Sequence, residues 1–157
     1  MSDVVIIMGS KSDLPRARQV AEALAKFGLS YDLRIASAHK SPAYLLQMLQ
    51  AYEQDEARRV YITIAGRSNA LSGFVDAAVA APVIACPPYA EPFAGADIYS
   101  SLRMPSGVAP AVVLEPEAAA LLAAKILGRR AEVRAAQSEQ CARIAADDQS
   151  LCEENAR

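Results

Sequence analysis

The sequence predicts a three-layer α/β domain built on a parallel sheet, followed by a helical C-terminal extension. Three observations carry this. Short apolar runs rich in β-branched residues recur along the chain, each is followed by a short polar break, and most breaks open a segment with helical spacing of its apolar residues. Strands that alternate with helices in this way pair in parallel. Right-handed crossovers then place helices on both faces of the sheet.

Asp3 to Met8 (DVVIIM) is a continuous apolar run, as expected of a strand buried on both faces. Gly9 to Asp13 (GSKSD) breaks it. A helix should start near Asp13, with Ser12 or Asp13 as N-cap and Pro15 in the first turn. Ala17, Val20, Ala21, Leu24 and Phe27 keep helical spacing, and Gly28 stops the helix. Tyr31 to Ala36 reads as the second strand and Ser37 to Pro42 (SAHKSP) as the next loop. Ser41 and Pro42 form a cap followed by a first-turn proline. Leu45, Leu46, Met48, Leu49 and Tyr52 give the second helix its apolar face.

The unit then repeats. Val60 to Ala65 is a strand, Gly66 to Asn69 (GRSN) a loop and Leu71 to Ala80 a short helix. Pro82 to Cys86 is the fourth strand, and Pro87 to Gly95 is irregular. Ala96 to Leu102 allows a helical turn or two, Ala111 to Leu114 a fifth strand and Glu117 to Leu127 an Ala/Leu-rich helix. Gly128 closes the sheet domain, so the expected units are 1–128 and a polar helical tail, 129–157. Val133, Cys141, Ile144 and Leu151 make a thin apolar seam on that tail. Two readings of the tail stand: a frayed surface helix, or a helix docked on a neighbouring subunit, since a helix with so narrow a stripe needs a partner to be stable.

The bulk numbers exclude several classes. A net charge of -2 argues against a nucleic-acid binder. No apolar run approaches the roughly 20 residues that cross a bilayer, and no export signal opens the chain. Three scattered cysteines, Cys86, Cys141 and Cys152, suit reduced thiols in the cytoplasm. One histidine and three cysteines cannot assemble the usual zinc sites, and no Walker motif or GxGxxG run is present.

Ligands of an open parallel sheet bind outside the carboxyl ends of its strands. That edge carries GSKSD, SAHKSP and GRSN, each before a helix N-terminus whose N–H groups favour an anion. Ser10, Ser12 and Ser37 add hydroxyls, Lys11, Lys40 and Arg67 add positive charge, and Asp13 can accept from sugar hydroxyls. Any one of these serines would also suit a simple cap. Three such loops on one edge read as a site for a phosphorylated sugar-like ligand. His39 lies in a strand-end loop, and its side-chain type suits proton transfer near neutral pH. Cys86 ends a buried strand and reads as an inert core thiol. Arg103 to Gly107 (RMPSG) reads as a turn.

Five blocks in this order resemble the phosphoribosylaminoimidazole carboxylase family: GSKSD, SAHK, AGRSNALSG (Ala65 to Gly73), ACPP (Ala85 to Pro88) and FAGADIYSSLRMPSG (Phe93 to Gly107). The similarity runs from about Val4 to Gly128. It implies a flavodoxin-like strand order, 2-1-3-4-5, which periodicity alone does not fix. The family has two classes. Class I rearranges N5-carboxyaminoimidazole ribonucleotide, and class II adds CO2 to aminoimidazole ribonucleotide (AIR). Class I typically reads SAHR in the second loop and carries a second histidine in the third. This chain has Lys40 and GRSNALSG instead, which resembles class II.

The resemblance therefore implies carboxylation of AIR at C4 by CO2, without biotin, ATP or metal. It implies that His39 moves the C4 proton and that Gly9, Ser10, Ser12 and Asp13 hold the ribose phosphate portion. Ser37, Ala38 and Lys40 would line the site beside it. Gly66, Ser68, Asn69 and Ala70 would floor a CO2 pocket, with Arg67 next to them. Arg103 and Ser106 are expected from a neighbouring subunit of a homo-octamer whose C-terminal helices embrace neighbours. Two rival readings remain at this point: a class I mutase, and a non-enzymatic flavodoxin-like module binding flavin mononucleotide. The second lacks support, since the chain has no tryptophan and its first three loops carry no aromatic residue to stack on a flavin.

Overall fold

The computed structural model describes residues 2–55 and 57–155; residues 156 and 157 of the expected tail lie outside them. Five strands form one parallel sheet: β1 (Val4–Met8), β2 (Tyr31–Ile35), β3 (Val60–Ile64), β4 (Val83–Ala85) and β5 (Ala111–Val112). Their order is β2-β1-β3-β4-β5, the flavodoxin-like arrangement expected. The helices are α1 (Leu14–Lys26), α2 (Pro42–Tyr52), α3 (Leu71–Ala78), α4 (Tyr99–Leu102), α5 (Pro116–Ile126) and α6 (Arg130–Asn155).

Burial on both faces explains why β1 and β3 are unbroken apolar runs. Every residue of both strands is buried. Val4, Ile6 and Met8 pack with Val20 and Leu24 of α1 and with the alanines of α5. Val5, Ile7 and Tyr61 face the other way, onto Leu45 and Leu49 of α2 and Val75 of α3. Each fully buried aliphatic side chain contributes about 1.5–3 kcal/mol. β2 lies at the sheet edge, so only alternate residues are covered and Tyr31, Leu33 and Ile35 stay exposed.

α1 stops where the sequence placed its glycine. Gly28 adopts φ 64°, Gly28 N–H donates to Ala25 C=O, and Leu29 N–H reaches back to Leu24 C=O. This is the Schellman closure that a left-handed residue permits. The strand register then sets the site. Met8 is paired with both Ile35 and Ile64. The chain therefore leaves β1, β2 and β3 at one level, and the three polar loops meet on one edge.

Three details differ from expectation. Asp13 stands at the N-cap of α1, but a 3-10 turn over Lys11–Asp13 precedes the helix and the Asp13 carboxylate turns back to Ser10 instead of capping. α3 ends at Ala78 rather than Ala80, because Val79 is extended and the Ala80 N–H is taken by the Glu53 carboxylate at 3.1 Å. β5 holds two residues, although Val113 N–H still donates to Ala85 C=O. In α6 only Val133 is buried; Cys141, Ile144 and Leu151, the rest of the seam, are exposed in the single chain.

Candidate active site

The first loop is organised around one carboxylate. Asp13 Oδ2 accepts the Ser10 backbone N–H at 3.0 Å and the Ser10 hydroxyl at 3.2 Å. The Ser10 and Ser12 hydroxyls are themselves hydrogen-bonded. Gly9 lets this loop lie against the third. A Cβ on Gly9 would stand 3.3 Å from Ala65 Cβ, and the Gly9 N–H already donates to Ile64 C=O.

The second loop is a closed turn. Ser41 Oγ accepts from the Ser37 N–H at 3.0 Å and donates to the Ser37 carbonyl at 3.2 Å. Ser37 Oγ accepts the Lys40 N–H at 3.2 Å. Ser41 thus stands at the N-cap of α2, yet its hydroxyl stabilises the loop rather than the helix. His39 and Lys40 project from this turn and are exposed.

The third loop bends sharply. Arg67 has φ 59°, a left-handed conformation uncommon for a residue with a side chain. Its N–H donates to the Asp97 carboxylate at 2.9 Å. Gly66 faces Pro88, whose ring would stand 3.2 Å from a Cβ at that position.

These loops enclose a cleft of about 470 Å³. Gly9, Ser10, Ser12 and Asp13 line it from the first loop, Ser37, Ala38, His39 and Lys40 from the second. Gly66, Arg67, Ser68 and Ala70 line it from the third. The structure thus brings together twelve of the sixteen site residues expected from the sequence, drawn from three separate crossovers. The lining is more polar than apolar, and its exposed cations and hydroxyls suit an anionic, hydroxyl-rich ligand. The family-model match decides the identity: AIR carboxylase, over residues 3–147.

The chain belongs to the AIR carboxylase family.

It is an enzyme of that family, which serves purine biosynthesis. It is 59% identical over 123 residues to a phosphoribosylaminoimidazole carboxylase of Treponema denticola, covering 78% of this chain and 77% of that one. A phosphoribosylaminoimidazole carboxylase of Archaeoglobus fulgidus is 58% identical over 128 residues, covering 82% and 70%. Among solved structures, Treponema denticola PurE superposes with a TM-score of 0.92 at 51% identity, covering 94% of this chain and 97% of that one.

Four expected site residues of this AIR carboxylase family member do not line the cleft of their own chain, among them Lys11, which is exposed outside it. Asn69 is a correction: it is buried, its amide donates to Ser101 Oγ at 2.9 Å, and its Oδ1 accepts the Ser72 N–H at 3.3 Å. It therefore braces the third loop and the start of α3 from behind, and does not floor the pocket. Arg103 and Ser106 are exposed and lie away from the cleft. The Arg103 guanidinium rests 5.4 Å from the Tyr99 ring centroid, and Met104 packs against Gly73.

The residues that sequence reading missed are apolar or distant in the chain. Ala65, Leu71, Pro88 and Ala90 complete the lining. Pro88 lay within a matched block, but nothing local distinguished it from a loop proline. Cys86 is fully buried; burial pushes its thiol above the ordinary range despite the nearby Arg16 guanidinium, as suits an inert core thiol.

Proposed function

We propose that this chain carboxylates AIR at C4 with CO2 to give 4-carboxy-5-aminoimidazole ribonucleotide. The observation that carries the reading is the cleft's composition: the chain's one histidine shares it with the Ser10–Asp13 loop and the Gly66–Ser68 floor. The chemistry needs little more. AIR is an electron-rich enamine, and the electron pair at C4 forms the new C–C bond to CO2. One C=O π pair of CO2 moves onto oxygen and leaves a carboxylate. C4 then carries both hydrogen and carboxylate, and the ring has lost aromaticity. His39 takes that hydrogen as a proton, and the C–H bonding pair returns to the ring. Such a positioned base contributes typically ~10²–10⁴-fold.

Ser10, Ser12 and Asp13 bind the ribose phosphate portion, and Ser37, Ala38 and Lys40 line the site beside it. CO2 is neutral and small, so it is held by shape and proximity against Gly66, Ser68 and Ala70. Arg103 and Ser106 reach the cleft of a neighbouring subunit in a cytoplasmic homo-octamer, where α6 beyond Ala136 packs on a neighbour. Their exposure in the single chain, and that of α6 beyond Ala136, supports this part of the reading. Lys40 and the histidine-free third loop favour direct use of CO2 over rearrangement of a carbamate. Assay of the purified chain with AIR and CO2, beside N5-carboxyaminoimidazole ribonucleotide, tests it. Product from AIR and CO2 is expected; turnover of the carbamate alone would make the chain a mutase.

A further inference from the structure

The third loop owes its shape to a segment about thirty residues away. The Arg67 N–H donates to Asp97 Oδ2 at 2.9 Å. Ser100 Oγ accepts the Asn69 N–H at 2.9 Å. Its own proton is shared between the Arg67 carbonyl at 3.0 Å and the Asp97 carbonyl at 2.7 Å. Ser101 Oγ, buried, accepts from the Asn69 amide at 2.9 Å. Both backbone polar groups of Arg67 are therefore satisfied by Asp97 and Ser100 rather than by the sheet. The residue so held is the one with a left-handed backbone at φ 59°. Gly66 makes room for the arrangement, since a Cβ there would stand 3.6 Å from the Asp97 carboxylate and 3.2 Å from Pro88.

We propose that Asp97, Ser100 and Ser101 are positioning residues for the carboxylation: a clamp that fixes the Gly66–Ser68 loop as the floor against which CO2 is held. The proposal rests on the carboxylase reading above and adds a division of labour to it. The first and second loops are closed by their own internal bonds, Ser10 to Asp13 and Ser37 to Ser41, and neither is hydrogen-bonded to a clamp residue. AIR binding depends on those two loops. CO2 offers no charge to hold, so its capture depends on where the floor stands. A floor displaced by the loss of one clamp bond weakens CO2 capture and leaves AIR binding in place.

The experiment is steady-state kinetics of the full chain with Asp97→Ala and Ser100→Ala, varying AIR and CO2 separately. Asp97→Ala, which removes one hydrogen bond to the loop, should raise the KM for CO2 by about three- to tenfold, and Ser100→Ala, which removes bonds to both Asn69 and Arg67, by at least as much. The KM for AIR should stay within about twofold, since no bond to the first two loops is removed. Asp97→Asn and Ser100→Thr, which keep an acceptor oxygen and a hydroxyl, should recover most of the loss. A merely structural role would not give this split or this rescue. Unchanged CO2 dependence in both alanine variants, or equal losses for AIR and CO2, would overturn the clamp. Thermal unfolding checks that each variant is folded. Should the alanine variants not fold, Ser101→Ala, which removes only the Asn69 amide bond, is read in the same way. A wild-type chain that ignores CO2 and converts only N5-carboxyaminoimidazole ribonucleotide overturns the carboxylase reading instead. The clamp is then decided on that substrate: a lower kcat at unchanged KM supports it, and an unchanged kcat sinks it.

Discussion

The Ser41 hydroxyl oxygen sits 3.0 Å from the Ser37 backbone nitrogen and 3.2 Å from the Ser37 carbonyl oxygen. This pair closes the turn that carries His39. Ser41→Ala removes both bonds and leaves the histidine on a looser loop. The loss should lower kcat by at least roughly three- to tenfold, since each net hydrogen bond is of that size, with AIR affinity little changed. Turnover equal to wild type would show that the turn holds its shape without Ser41.

His39→Asn should remove the proton acceptor while keeping a polar side chain of similar reach. Turnover should fall by ~10²–10⁴-fold and AIR binding should stay within a few-fold. Calorimetric binding of AIR beside a product assay separates the two. A variant retaining more than about a tenth of the wild-type rate would remove His39 from the reaction, because general acid–base groups contribute at least tenfold more than that.

Asp3 ties the start of β1 to the turn before β2. Its Oδ2 accepts the Ser30 N–H at 2.8 Å and the Ser30 hydroxyl at 2.7 Å, and the Arg129 guanidinium lies 3.8 Å away. Partial burial pushes its pKa up, but the Ser30 bonds and the Arg129 charge outweigh that, so it lies below the ordinary 3.8. The unfolded chain therefore binds this proton more readily than the folded one. The resulting stability is present above the ordinary carboxylate value and is lost as pH falls through the folded value. Urea midpoints should show Asp3→Asn less stable than wild type at neutral pH, with the gap closing in acid. A gap constant across pH would mean that the charge of Asp3 contributes nothing.

Beyond Ala136 every described residue of α6 is exposed, so its own chain covers none of the apolar ones. Ending the chain after Ala136 keeps Val133 and Ala136 packed on the core. This truncation should lower the particle mass seen by light scattering while far-UV and near-UV signals of the sheet domain persist. An assembly of unchanged size would leave the exposed seam of Cys141, Ile144 and Leu151 without an intersubunit role.

Much of the fold could be read from local pattern. β1 and β3 announce their two-sided burial by unbroken apolar runs, and Gly28 marks the end of α1 by the backbone it permits. The loop residues of the cleft were legible because strand ends in a parallel sheet share a level, so GSKSD, SAHK and GRS must converge. What escaped was set by partners far along the chain. Asn69 reads like its loop neighbours, and only Ser101 and the Ser72 N–H draw it inward. Asp13 reads as a cap, yet Ser10 offers its carboxylate two donors nearer than the helix does. Asp97 carries no local sign of its role, because its partner is the backbone of Arg67.

In the proposed reaction dissolved CO2 is the carboxyl donor. This assignment is tested most directly by following the C4-carboxylated product from AIR when either CO2 or bicarbonate is added to the purified chain. Bicarbonate is charged and a poor electrophile, and it must dehydrate before C4 can attack. Turnover should be immediate with CO2 and should show, with bicarbonate, a lag that carbonic anhydrase abolishes. Turnover that starts at once with bicarbonate and does not respond to carbonic anhydrase, or no turnover of AIR under either condition, would contradict the assignment.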